Sequence, residues 1–204
     1  MKHILLFLFV IVAALPLFSQ EDIDLSREFI YRGRHYVPNS PWWTVGMGYS
    51  YNIGESIAEP NFLLDVHFRV KEKHYYGAGY LTSRYQFLDK NGENIFLPHS
   101  YVKHSQNSLH AMYGWRGEKL YHNYGFFAGP SFNWGWDYVY SDSTGDYHQG
   151  YMEPGIYACV QYTRKFYFDL GMGLNLWASL NKSYQVVGLT LHVYFSTALK
   201  RELM

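Results

Sequence analysis

From Trp42 onward, apolar and polar positions alternate one by one. Over 61–70, Phe62, Leu64, Val66, Phe68 and Val70 fall on one face, and Leu63, Asp65, His67 and Arg69 on the other. Over 167–180, Phe168, Leu170, Met172, Leu174, Leu176, Ala178 and Leu180 alternate with Tyr167, Asp169, Gly171, Gly173, Asn175, Trp177 and Ser179. Successive side chains point to opposite faces of a strand, so a sustained period of two predicts strands. Eight such segments run over 42–53, 61–70, 75–88, 101–116, 121–138, 151–163, 166–180 and 184–196. Their connections alternate in character. Residues 71–74, 116–119 and 164–165 are short and charged, whereas 54–60, 89–100 and 139–150 are longer and rich in turn formers; 181–183 is one short turn among the long ones. Short turns at one end and longer loops at the other suit an eight-stranded antiparallel up-and-down transmembrane β-barrel.

Alternating strands could equally close into a soluble, lipocalin-like ligand-binding barrel with its apolar face inside. Side-chain volume argues against this. One face carries Trp43, Met47, Tyr49, Phe126, Phe132, Trp134 and Trp136; the other carries Thr44, Gly46, Gly48, Ser50, Gly125, Gly129, Ser131, Asn133, Gly135, Gly155, Cys159 and Thr163. An eight-stranded lumen holds only a modest set of side chains, so the small and polar face belongs inside and the large apolar face against lipid. Lysine usage agrees, with Lys71, Lys73, Lys90, Lys119, Lys165, Lys182 and Lys200 all assigned to turns, loops or the tail.

The first twenty residues read as an export signal: a basic start at Lys2, an apolar run Ile4 to Phe18, then Ser19-Gln20 before the acidic Glu21-Asp22. The expected organisation is a signal peptide 1–20, a periplasmic N-terminal segment 21–41, the barrel 42–196 and a periplasmic tail 197–204. Aromatic residues make up 20% of the 204-residue chain and the formal net charge is zero, which gives no electrostatic case for a nucleic-acid partner. The single Cys159 excludes an intramolecular disulfide and a cysteine zinc cluster.

Signal peptide, eight strands and aromatic bands together resemble the small outer-membrane barrels typified by the OmpA transmembrane domain and OmpX. Gly188, Leu191, Val193 and Phe195 in the last strand resemble the C-terminal signal read by barrel-insertion machinery, although nine residues follow. The resemblance implies location in the cell outer membrane. Its partners would be outer-membrane lipid, the insertion machinery and other outer-membrane or periplasmic proteins. An even strand count places both termini in the periplasm. Fold alone does not supply the role, which is expected to be that of a structural anchor or subunit of a surface or secretion assembly.

No motif calls for catalysis, a cofactor or a metal. Gly46-Met47-Gly48, Gly77-Ala78-Gly79 and Gly171-Met172-Gly173 lie inside strands and lack the third glycine of a nucleotide loop. They are expected to face inward and make room for Phe127, Tyr157 or Trp177. Asp142 and Asp146 flank a turn but lack the further oxygen ligands that calcium needs. The alternative class is a lipid A-modifying acyl hydrolase, for which the nearest string is His104-Ser105-Gln106-Asn107-Ser108. Adjacent residues on a strand face opposite ways, and His104 and Ser108 are two pleats apart, too far for direct proton transfer.

The sharpest expectation concerns the interior. Asp65, His67, Arg69, Arg84, Glu153 and Asp169 are expected to form one salt-bridged lumen network, because isolated buried charges are costly. Arg84 sits awkwardly, since Gly77 and Gly79 also look inward and both cannot hold without a bulge. Bulges are expected too at Pro130 and Pro154, each of which removes a ladder donor. Trp43, Tyr113, Trp115, Tyr124, Tyr162 and Phe195 should form one aromatic girdle, and Tyr51, Phe87, Tyr101, Trp134, Trp136 and Tyr151 the other. In segment 21–41, Arg27, Arg32, Arg34 and His35 interleave with Phe29, Tyr31 and Tyr36, as a leader tucked under the barrel would.

Overall fold

The structure, a computed structural model, describes residues 25, 27–54, 57–71, 73–86, 102–139 and 147–200. The proposed signal peptide and the tips of the loops at 87–101 and 140–146 lie outside the described residues.

A small hairpin comes first, β1 (Phe29–Tyr31) and β2 (Arg34–Tyr36). Its turn uses Arg32 and Gly33, both at positive φ (50° and 72°), the second a conformation that costs glycine little. Eight long strands follow: β3 (Trp42–Asn52), β4 (Ile57–Lys71), β5 (His74–Gln86), β6 (Val102–Glu118), β7 (His122–Val139), β8 (Tyr147–Tyr167), β9 (Leu170–Asn181) and β10 (Gln185–Ser196). Each pairs antiparallel with the next, and β10 returns to β3, from Trp42↔Ser196 to Asn52↔Val186, to close the barrel. A strand crosses a bilayer core in about 9–11 residues. The strands β6, β7 and β8, of 17, 18 and 21 residues, therefore outrun β3, β9 and β10 and stand up as a wall at the long-loop end.

The sorting of side chains follows the predicted sense. Met47 is 70% exposed, Tyr49 68% and Ile156 60% on the outside, while Thr44, Asn61, Ser83, Asn133, Asn175 and Thr190 are buried within. This is the reverse of a soluble ligand-binding barrel. Glycines make the interior fit. A Cβ at Gly188 would stand 2.3 Å from the Trp177 ring, and one at Gly114 would stand 2.6 Å from the Phe127 ring. The space for both rings thus comes from glycines on neighbouring strands.

Several expectations need correction. β4 begins at Ile57 and β8 at Tyr147, so part of each supposed loop is strand. In β5, Tyr75, Gly77, Leu81 and Ser83 are buried on one parity, and the register shift comes only between Tyr85 and Gln86. The glycines therefore keep the inward face; Arg84 stands at a register position of the opposite parity, and its side chain lies outside the described residues. The prolines are taken up without bulges, because β7 and β8 stay in one register from His122↔Arg164 to Val139↔Tyr147. Pro154 stands one residue before β9 begins to pair at Gly155↔Asn181, where β8 has no neighbour on that side. Pro130 falls within a gap in the β6–β7 pairs between His110↔Ser131 and Tyr113↔Ala128. Tyr151 leaves the outer girdle: it is partly buried and packs its ring 4.8 Å from that of Tyr184.

Below the short turns, the hairpin and the tail form a cap. Tyr36 bridges Leu199, the Val37 amide donates to the Ala198 carbonyl (2.7 Å) and the Lys200 amide to the His35 carbonyl (2.9 Å). Tyr36, Leu120, Phe168 and Ala198 form a small buried cluster, and burial holds the Tyr36 hydroxyl above its ordinary pKa. Phe168 thus belongs to this cap and not to the lipid-facing row. Because the cap lies outside the ring of ladder hydrogen bonds, a chain truncated through Tyr36 should keep heat-modifiable migration on gels. Loss of that migration would show that the hairpin is part of the barrel's folding unit.

Candidate functional site: a filled and layered lumen

The interior is the only place where buried chemistry accumulates among the described residues, and it is layered. Nearest the termini, Glu118 Oε1 accepts from Arg116 Nη2 at 2.8 Å and Lys165 Nζ at 2.9 Å, with all three side chains at most 5% exposed. Glu118 Oε2 accepts the Asn39 amide at 2.7 Å. Asn39 holds positive φ (57°) and its side-chain oxygen takes the Tyr75 hydroxyl at 3.0 Å. Arg116 also donates to the Tyr194 hydroxyl (2.8 Å) and lies 3.8 Å over the Trp42 ring; Lys165 lies 3.6 Å over that of Phe168. Charge, hydrogen bonds and ring faces therefore converge on one buried triad.

The next layer is aromatic. Trp42 stacks on His67 with centroids 4.4 Å apart and a 3° interplanar angle, and Tyr75 and Phe127 pack at the edges. At mid-height, Asp65 Oδ1 bonds His110 Nε2 at 2.9 Å, Asp65 Oδ2 accepts from Gln161 at 3.3 Å, and the His110 ring stacks 3.8 Å from Tyr157. His192 bonds Thr163 at 2.9 Å. A Cβ at Gly79 would stand 2.0 Å from Asp65 Oδ1 and 2.3 Å from His110 Nε2, so no side chain fits beside this pair. Further toward the loops, the Trp177 indole donates to Thr190 (2.9 Å), Thr190 donates to Asn61 (2.9 Å), and Ser50, Ser83 and Glu59 form a buried cluster.

Of the six residues proposed from sequence, the five whose side chains are described do not form one network. Asp65 and His67 lie in the lumen as expected, in adjacent layers. Arg69 follows them on β4 but is exposed at the rim, beside the register shift between Arg69 and Lys71. Glu153 is at the other end, bound to the Ser183 hydroxyl (2.6 Å) and amide (3.0 Å). Asp169 sits in the β8–β9 turn, where its carbonyl accepts the Ser196 amide. The triad was missed because Arg116, Glu118 and Lys165 read as turn residues. The signal was present: Arg116 continues the inward parity of His110, Met112 and Gly114, and Lys165 that of Cys159, Gln161 and Thr163.

No protein-family model matches the chain, and no curated protein matches it in sequence. Solved structures do. Ail, the attachment invasion locus protein of Yersinia pestis, aligns at TM-score 0.53 and 10% identity, over 77% of this chain and 98% of Ail. A second structure of Ail, in complex with the heparin analogue sucrose octasulfate, gives 0.54, 9%, 76% and 97%. Neisserial surface protein A gives 0.53 and 9% identity, over 76% of this chain and 95% of its own. The chain has the fold of the small eight-stranded outer-membrane β-barrels. Identity this low speaks to the fold alone, so the triad and the Asp65–His110 layer are argued from this chain's own geometry.

That geometry makes a sharp contrast. Glu118→Gln leaves Arg116 and Lys165 buried without their counter-charge and should lower the unfolding free energy by about 3–5 kcal/mol. Arg69→Ala, at the exposed rim, should change it by less than about 1 kcal/mol. Urea unfolding in lipid vesicles, followed by tryptophan fluorescence, measures both; equal losses would place Arg69 in the buried network after all.

Proposed function

We propose that this protein is a non-catalytic integral barrel of the outer membrane, exported by a cleaved signal peptide, with both termini in the periplasm. Its role is that of a structural anchor or subunit of a surface or secretion assembly. In this organisation 1–20 is the signal peptide, 21–41 and 197–204 flank the barrel on the periplasmic side, and 42–196 spans the membrane. The observation that carries this reading is the sorting of side chains: a closed ring of strands with large apolar groups outside and a packed polar lumen inside.

Two features support the absence of chemistry and transport. His110 is engaged by Asp65 and His192 by Thr163, both in the sealed interior and away from lipid. Trp42, Phe127, Tyr157, Trp177 and Tyr194 are buried in several layers of the lumen, which argues against a continuous aqueous path. The purified protein should therefore give no stable conductance in planar bilayers, and lipid A from cells with and without it should have the same acylation by mass spectrometry. A porin-like conductance would show an open lumen, and altered acylation would favour the acyl-hydrolase alternative. Fractionation should recover the protein with outer-membrane lipid, and a tag after residue 200 should be protected from protease in intact cells. Cross-linking in those cells then names the assembly, for which the barrel wall raised by β6, β7 and β8 is the expected contact.

A further inference from the structure

The end of the barrel that carries both termini has a basic rim. Arg69 and Lys71 stand at the close of β4 and Lys73 in the turn that follows. Arg164 stands near the end of β8, and Arg32 and Arg34 on the hairpin; all six are exposed. Among the described residues of this end, two of the three carboxylates, Glu28, Glu118 and Asp169, are already committed. Glu118 is buried between Arg116 and Lys165, and Glu28 pairs with Lys200 at 2.7 Å. The opposite end has the reverse sign in sequence: segments 53–60, 84–104, 137–153 and 181–184 carry eight acidic and four basic residues.

The depth of the rim is fixed by its aromatic neighbours. Trp43, Trp115 and Phe195 are exposed on the outer wall at the same end, the girdle level where amphipathic rings meet the membrane surface. On β4 the exposed Phe68 precedes Lys71 by three residues, and on β8 Tyr162 precedes Arg164 by two. At about 3.3 Å per residue the cations then stand roughly 5–10 Å beyond the girdle, at headgroup depth. The Arg34 charge on the hairpin is held at the same level, since its guanidinium lies 5.3 Å from the Tyr167 ring centroid. Long basic side chains there keep their stems against apolar surface and their charge in the headgroup layer.

We infer that this rim is a docking surface for anionic phospholipid headgroups in the leaflet it faces. The inference rests on the membrane-spanning reading above and adds to it a lipid class and an end of the barrel. Exposed cations near a charged leaflet attract it over about one Debye length, so the contact is electrostatic, selective for net negative headgroups and weakened by salt. The same rim disfavours insertion with the acidic loop end against that leaflet.

The test uses the full mature chain refolded in phosphatidylcholine vesicles doped with spin-labelled phosphatidylglycerol or spin-labelled phosphatidylcholine. The lipid population slowed by the protein is read by electron paramagnetic resonance. Phosphatidylglycerol should be enriched over phosphatidylcholine about threefold or more at low salt, and the preference should fall at high salt. The variant R32Q/R34Q/K71Q/K73Q should insert, with heat-modifiable migration intact, and lose most of the preference; K182Q, at the other end, should keep it. Should the fourfold variant fail to fold, K71Q/K73Q carries the same test with a smaller loss. Equal restriction of the two lipids by the parent, or full preference in the rim variant, overturns the inference and leaves the rim to an acidic protein partner. A parent chain that shows no heat-modifiable migration in phosphatidylcholine vesicles overturns the membrane reading itself, an outcome distinct from insertion without lipid preference.

Discussion

Hydrocarbon offers no hydrogen bonds, so every backbone N–H and C=O at membrane depth must find its partner in the protein. The β3–β10 ladder, eleven residue pairs from Trp42↔Ser196 to Asn52↔Val186, removes the edge that the other seven pairings would leave open. Closure with eight strands then fixes the interior volume, and the interior volume fixes the composition of the inward face. Glycine and serine positions are not optional in such a space. Gly188 is what makes room for the Trp177 ring, and Gly79 is what lets Asp65 and His110 meet.

A lumen filled to this degree brings its polar groups into contact with each other and not with bulk water. Two of the buried charge sites solve that problem differently. Asp65 is held by a histidine and an amide in the middle of the barrel, where the next layers are rings. Glu118 is held by two cations and a backbone amide near the mouth, and that amide belongs to the segment leading into β3. Buried ion pairs contribute little net stability over a well-packed apolar set. Their value here is geometric: the Arg116–Glu118–Lys165 triad ties β6 to β8 and fixes Asn39, and through Asn39 it positions the chain between the hairpin and the barrel.

The barrel was legible in the sequence because its signal is distributed. Eight alternating segments each repeat the same statement about inside and outside, and an error of a few residues in any of them leaves the architecture unchanged. The starts of β4 and β8 were misplaced for that reason without harm. The site was far less legible, because it depends on which inward positions share a height, and height follows from register across strands that sequence does not state. Asp65 and His67 were found because they lie mid-strand. Arg69 and Glu153 have the inward parity too, but each lies where its strand reaches a rim, and parity alone does not separate a rim from a core. Arg116 and Lys165 failed in the opposite sense: a charge near a strand end reads as a turn, although the strand runs on past it.

The two ends of the barrel are built on different principles. At the termini end, turns of two or three residues leave little chain to cover the opening. The cover comes from sequence outside the barrel, β1, β2 and the tail, joined by backbone hydrogen bonds and by Phe29, Tyr36 and Phe168 packed ring on ring. At the loop end the strands themselves continue, unequally, so that β7 and β8 pair on beyond the last β8–β9 pair at Gly155↔Asn181. A surface raised on paired strands keeps its backbone in register without a core of its own, because the β7–β8 ladder runs on unbroken to Val139↔Tyr147. A capped base and a projecting wall of paired strands are thus two different endings of one continuous sheet.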